Sequence, residues 1–227
     1  MTPEVQKIYQ ILLEKIIALE IEPGTRLREE ALSRSFSLSR TPIRDVLKQL
    51  EADGLLEIFS QRGSYVSKID LDGINAIMYI RASVEFDAMV ACSNVLTPGD
   101  IEEAKRILAL QESLLQEEGK DKKEFANAFF AADNAFHSFL YDKAGKGAVL
   151  ALLNRTYPYY QRFRFLTGYR DKKESENLYE IHKRMLGDLE RKDLAALKED
   201  VLAHNYSGLS GIQSVIHDHP DWFLKQE

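Results

Sequence analysis

Cysteine is almost absent from this chain of 227 residues, Cys92 being the only one. A single thiol excludes an intramolecular disulfide framework and any cysteine-rich zinc module. Long apolar runs are missing too: no stretch approaches the roughly 18 residues that a membrane span needs. The opening MTPEVQKIYQ lacks the basic-then-apolar pattern of a secretory signal. These absences lead us to expect a reduced, cytoplasmic protein of one or two domains with no membrane partner. Positive charge is scarce overall, the formal net charge being −6, but the deficit is uneven. Residues 24–68 carry eight Lys/Arg against six Asp/Glu, a net of +2, whereas residues 71–227 carry twenty against twenty-five, a net of −5. A locally basic module on an acidic body is compatible with DNA, because only the contacting face has to neutralise phosphates.

What is present begins with helical periodicity. Val5, Ile8, Leu12, Ile16 and Leu19 predict a first amphipathic helix, stopped by Glu22-Pro23-Gly24-Thr25. A short helix is expected over about 29–36. A third starts after Ser39 as N-cap, carries Pro42 in its first turn, and ends at Asp53 before Gly54. Leu55–Phe59 and Ser64–Lys68 read as strands joined around Gln61-Arg62-Gly63. Three helices and a hairpin in this order are the layout of a winged helix-turn-helix. After Asp70 the strand signals stop, and helical patterns follow at roughly 73–95, 99–117, 122–143, 147–166, 174–190 and 193–216. Thr97-Pro98 is a helix start, and Gly119, Gly145 and Gly168 punctuate the rest. The expected fold is mainly α: a winged helix-turn-helix over 1–70, then an all-α antiparallel helical bundle over 71–227. The tail His217-Asp218-His219-Pro220 is expected at the surface and partly mobile.

On the third helix, Ile43, Val46, Leu47 and Leu50 form the inward stripe, leaving Arg40, Arg44 and Lys48 stacked four apart on an outward face. A recognition helix places base-reading side chains there, and arginine can grip guanine O6 and N7 with two hydrogen bonds. Ser39, Thr41 and the helix N-terminus suit phosphates. Arg62, Gly63 and Lys68 belong to the wing. In isolation the Arg/Lys stripe reads more readily as a solvated helix face.

The second half holds polar residues on apolar faces. Asp133 and His137 fall among Phe129, Phe136 and Leu140; His182 falls among Leu178, Ile181, Met185 and Leu189; His204 follows Leu194, Leu197 and Val201. Buried without partners, these groups would cost several kcal/mol. With a turn near Lys192-Asp193, His182 and His204 stand at nearly the same height on facing helices, about 1.5 Å being gained per residue. Three imidazoles and one carboxylate suit a divalent transition metal, Zn²⁺, Ni²⁺ or Mn²⁺. Spacing leaves a metal-free hydrogen-bonded network open. Arg81, on a face with Ile74, Ile77, Val84, Ala88 and Ala91, would be costly unpaired and needs a carboxylate partner, Glu85 one turn on or a carboxylate from elsewhere. Tyr157, Tyr159, Tyr160, Arg162 and Arg164 either line the same cavity or form aromatic core with exposed arginines. Cys92 reads as a small buried side chain, and Glu112, Glu117 and Glu118 as a charged face.

Four runs, Glu22-Pro23-Gly24-Thr25-Arg26-Leu27-Arg28-Glu29, Ser39-Arg40-Thr41-Pro42-Ile43-Arg44, Leu50-Glu51-Ala52-Asp53-Gly54-Leu55 and Arg62-Gly63-Ser64-Tyr65-Val66, closely resemble the GntR family of bacterial transcription regulators. The resemblance implies base contacts by Arg40 and Arg44 and a wing tip at Gly63. The chain departs from it at Glu30, an arginine with a DNA role in some members; Arg28 and Arg34 are the alternatives for that contact. Asp133, His137, His182 and His204 look like the metal-ligand pattern of the FadR-like branch, whose effector domain is the all-helical FCD domain. Lys146 departs from the asparagine common there. The resemblance implies a ligand-responsive regulator, a repressor, acting as a homodimer on a palindromic operator. A small carboxylate effector would bind at the metal, with Arg81 and Tyr160 as contacts. The rival is a metal-dependent enzyme acting on a small carboxylate and fused to a DNA-binding module.

Overall fold

In a computed structural model of the chain, residues 2–119, 121–154, 157–167, 172–209 and 211–225 are described. Gly168 and the side chain of Tyr157 lie outside them. The elements run α1 (Pro3–Ile17), β1 (Arg26–Leu27), α2 (Glu29–Phe36), α3 (Arg40–Ala52), β2 (Leu56–Phe59) and β3 (Gly63–Val66). Then come α4 (Leu71–Ser93), α5 (Pro98–Gln116), α6 (Lys122–Lys143), α7 (Gly147–Leu153), α8 (Tyr157–Thr167), α9 (Lys172–Arg191), α10 (Leu194–Tyr206) and α11 (Ile212–Asp218). Contacts divide the chain into two compact units: Met1–Ile74 with Arg155–Leu166 and Gln213–Glu227, and Asn75–Asn154 with Thr167–Ile212.

The first unit is built on the stripes that the periodicity predicts. Val5, Ile8, Leu12 and Ile16 of α1 pack with Ile43, Val46, Leu47 and Leu50 of α3, and Leu55, Leu56 and Val66 join the same core. Tyr9 Oη donates to Asp53 Oδ2 at 2.7 Å, tying α1 to the end of α3. Ser37, with φ +54, makes the left-handed turn that separates α2 from α3. The sheet has the order β1-β3-β2, with Arg26 opposite Tyr65 and Glu57 also opposite Tyr65 on the other edge. β1 was not expected: two residues cannot display a two-residue alternation, and only pairing with β3 makes them a strand.

The same unit takes in α8 and the C-terminal segment. Arg162, only 1% exposed, donates from Nη1 to Ser67 O at 2.8 Å and from Nη2 to Ser67 Oγ at 3.3 Å. Burial pulls its guanidinium down to about 10. Tyr159 Oη accepts from Asp70 N at 2.6 Å. Ile69 bridges Phe223 in parallel: Ile69 N donates to Trp222 O at 2.8 Å and Leu224 N to Ile69 O at 3.0 Å. One expectation is corrected here: Arg162 is a buried fastener of the segment leaving the wing, not an exposed arginine. Residues 217–220 are exposed as expected, and beyond them Trp222 and Phe223 are held by apolar burial and backbone pairing.

In the second unit α9 packs on α10 and α5, and α5 on α6. Thr97 and Asp100 form a reciprocal capping box at the start of α5. The α9–α10 turn falls at Lys192, whose φ of +57 ends α9, and Asp193 caps α10 by accepting from Ala196 N at 3.1 Å. Two expected helices are broken. The 147–166 pattern splits into α7 and α8, since Pro158 has no N–H and its ring would clash with the carbonyl of Asn154. It sits instead in the first turn of a new helix. The 193–216 pattern stops at Tyr206, followed by a single 3-10 turn and then α11. Gly208 lies within that turn and Gly211 just before α11, and a glycine costs about 1 kcal/mol in a helix interior.

Candidate functional site

Two places collect chemistry, one in each unit. On α3, Arg40, Thr41, Arg44 and Lys48 are exposed, as is Ser39 before it, while Ile43, Val46 and Leu47 are buried. Ser39 holds the N-cap position but makes no side-chain capping bond, so its hydroxyl is not committed to the helix. Both candidate base-reading arginines carry carboxylate partners from α2. Arg40 Nη2 donates to Glu30 Oε1 at 2.7 Å, and Arg44 Nε lies 3.0 and 2.9 Å from the two oxygens of Glu29. These pairs are more than half exposed on the arginine side and therefore exchange partners at little cost. Arg40 and Glu30 also line a cleft of about 480 Å³ with Arg26, Arg28, Gly63 and Ser64. Gly63 has φ +108, a backbone conformation that L side chains rarely adopt, so this wing position favours glycine. Arg62 is exposed beside it. The pairing of Glu29 and Glu30 with α3 was missed from sequence, although their place at the start of the preceding helix was visible.

The second place is mostly buried, His204 being the partly exposed member of its four candidates. Asp133 and His137 of α6, His182 of α9 and His204 of α10 converge, as their helical faces predict. One donor atom from each histidine lies within 4.8 Å of the others. The ring centroids are 5.1 Å apart for His137–His182, 4.6 Å for His137–His204 and 4.8 Å for His182–His204. Asp133 Oδ1 stands 3.5 Å from His182 Nε2, both residues being 0% exposed. His182 Nε2 makes no hydrogen bond among the described residues. Around an ion bound at about 2.1 Å, donors sit roughly 3 to 4 Å apart, so small side-chain rotations close this set on a metal. Burial pushes the His182 imidazole well below its usual range, the neighbouring His204 adding to the shift while Asp133 opposes it. Neutral imidazole is the form that ligates.

Three further residues join the cluster. Glu85 of α4 is 2% exposed, and its Oε1 lies 2.6 Å from His137 Nδ1. Burial alone would raise the Glu85 carboxyl, but His137 holds it well below the usual carboxylate range. Asn205 Nδ2 donates to Glu85 Oε2 at 2.7 Å, and Gln111 Oε1 of α5 meets His182 Nδ1 at 2.9 Å. Ile74 and Ala88 of the expected α4 face are buried, but the face as a whole corrects the expectation: it runs Ile74, Met78, Ala82, Glu85, Ala88, Met89, Cys92. Glu85 is thus the buried charge, whereas Arg81 is half-buried and contributes a positive field at Glu85. One sequence signal for Gln111 existed, a polar residue in the stripe Ile101, Ala104, Leu108. Tyr160 is buried in α8 of the first unit, its ring stacked at 6.5 Å on Phe163. Cys92 is fully buried, which raises its thiol to about 11 and makes it unreactive.

A winged helix-turn-helix module with an arginine-bearing outward helix, followed by an all-helical unit with a histidine cluster, defines the class of a DNA-binding regulator. Residues 4–66 match "Bacterial regulatory proteins, gntR family" and residues 76–206 match "FCD domain", the second over more than half of the chain. The chain belongs to the GntR family, in its FadR-like, FCD-bearing branch. It is a DNA-binding transcription regulator and not an enzyme. It is 25% identical over 224 residues to the HTH-type transcriptional repressor RspR of Escherichia coli, covering 99% of this chain and 95% of that one. Two solved structures share the fold. Escherichia coli McbR/YncC gives a TM-score of 0.64 at 17% identity, over 96% of this chain and all (100%) of its own. A GntR regulator from Rhodococcus sp. gives 0.67 at 19% identity, over 94% and 98%. No described helix is long and apolar enough to cross a membrane.

Proposed function

We propose that the chain is a ligand-responsive repressor that senses a small carboxylate through a divalent transition metal held by Asp133, His137, His182 and His204. The observation that carries this reading is the convergence of three imidazoles and a carboxylate from three helices in a buried centre. A metal there, Zn²⁺, Ni²⁺ or Mn²⁺, would supply a Lewis-acidic centre for an effector carboxylate. Arg81, half-buried beside Glu85, is the protein's own cation for the same carboxylate, offering a two-pronged hydrogen-bonding grip.

DNA contact is assigned to residues 1–70 and sensing to residues 71–227. Arg40 and Arg44 read base edges, with Lys48, Ser39, Thr41, Arg62 and Gly63 at the backbone. A palindromic operator and a homodimer go together, because two recognition helices on two half-sites multiply affinity and specificity. Repression is supported by the similarity to RspR, a transcriptional repressor. Acting on DNA, the chain works in the cytoplasm. Effector binding changes operator affinity only by the difference in effector affinity between the free and DNA-bound forms.

The test is metal analysis of protein purified without chelator, beside the double variant His182→Ala/His204→Ala. One transition-metal ion per chain, lost in the variant, is expected, followed by thermal stabilisation with particular carboxylates. No metal, and no uptake of added Zn²⁺, Ni²⁺ or Mn²⁺, would reduce the cluster to a hydrogen-bonded polar network.

A further inference from the structure

We infer that Gln111 is a positioning residue for His182: it fixes which ring nitrogen carries the proton and so turns the other toward the metal position. The inference deepens the metal reading above and rests on it. Gln111 Oε1 lies 2.9 Å from His182 Nδ1, and both side chains are 0% exposed, so no water competes for either atom. An amide oxygen only accepts, so the Nδ1 that faces it carries the hydrogen. A neutral imidazole has one N–H, which leaves Nε2 with a lone pair. That lone pair is where a ligand is needed: Nε2 is the atom 3.5 Å from Asp133 Oδ1, and it makes no hydrogen bond among the described residues.

The opposite amide orientation would reverse the site. An NH₂ group directed at Nδ1 would make that nitrogen the acceptor and place the ring proton on Nε2, where it would block a metal. In the orientation present, Gln111 Nε2 is itself buried without a hydrogen-bond partner among the described residues. A buried donor left unmade is costly, so the oxygen-inward arrangement is held by its bond to His182 and not by satisfaction of the whole amide. His182 reaches Gln111 across 71 positions of sequence, from α9 to α5. A partner on the far nitrogen of a ligating histidine commonly changes metal affinity 10- to 100-fold.

Two measurements on the full chain test this. Long-range proton–nitrogen spectra of chelator-treated protein are expected to show His182 as the Nδ1–H tautomer, a preference lost in Gln111→Leu. Zn²⁺ affinity, read by competition with a chromophoric chelator, is expected to fall about 10- to 100-fold in Gln111→Leu, with the helical circular dichroism unchanged. Gln111→Glu keeps an acceptor at the same place and is expected to restore affinity to within a few-fold of the parent. An Nε2–H tautomer in the parent chain would overturn the inference. So would Gln111→Leu binding Zn²⁺ as tightly as the parent, or Gln111→Glu binding as weakly as Gln111→Leu. Should the parent bind no Zn²⁺ at all, the metal reading fails and the positioning role with it, and an intact Nδ1–H signal identifies that failure as the metal's and not the amide's.

Discussion

Ionic groups are arranged in opposite ways in the two units. On α3, Arg40 and Arg44 hold Glu30 and Glu29 at the surface, where such pairs are worth about 0 to 1 kcal/mol each. In the helical unit, Glu85, Asp133, His137 and His182 are nearly or fully excluded from solvent. Similar groups at similar distances do different work. A surface pair can be traded for DNA, because water screens its loss. A buried pair cannot be broken cheaply, because the group left behind has no water to turn to. The first unit therefore presents exchangeable contacts, and the second holds a fixed set of donors.

The sharpest way to break this contrast is to remove one buried partner. Glu85→Ala strips both His137 and Asn205 of their contact and should destabilise the chain by about 3 to 5 kcal/mol, measured by urea unfolding. A loss below about 1 kcal/mol would mean that Glu85 is solvated in practice. On the surface, Arg44→Ala should barely alter stability but cost about 1 to 3 kcal/mol of operator binding and relax preference at one base pair; unchanged binding in a gel-shift series would remove its reading role.

Acidification should separate the units as well. His182 is held neutral by burial, whereas in the unfolded chain it takes up a proton as pH falls through about 6.5. Acid then favours unfolding, by up to roughly 1.4 kcal/mol per pH unit below that point for one such group. Melting of chelator-treated protein at pH 7.5 and 5.5 should show the loss, and His182→Gln should reduce it. Last and smallest, Glu30→Gln should change stability by about 0 to 1 kcal/mol. It should nevertheless tighten binding to random duplex, because Arg40 is released toward phosphates; weaker binding would make Glu30 a contact and not a restraint.

Much of this was legible beforehand, for identifiable reasons. α1 and α3 announce themselves through apolar residues three and four apart. Asp133, His137, His182 and His204 stand out because polar groups on apolar faces need an explanation. α4 shows how such reading fails. Ile74 and Ala88 of its expected face are buried, but Met78, Ala82, Met89 and Cys92 complete that face unforeseen; Arg81 and Glu85 lie one turn apart on the same side of the helix, so spacing alone did not choose which charge enters the cluster. Gln111 and Asn205 were passed over because an amide on a helix face has no distinctive chemistry until its partner is known. The breaks at Pro158 and between Gly208 and Gly211 were overridden by apolar residues that continued the period on either side.

The sequence by itself determined most local elements, the exposed basic face of α3 and the convergence of four polar residues on apolar helix faces, since periodicity, caps and breakers act over a few neighbouring residues. Only the tertiary structure decided that Gln111 meets His182 across 71 positions, that Asn205 meets Glu85 across 120, and that Arg162 and Trp222 fasten the segment after the wing. Local preferences choose a helix and its inward stripe. They do not choose its rotation or its neighbour, which follow from burying every apolar face and satisfying every buried polar group at once.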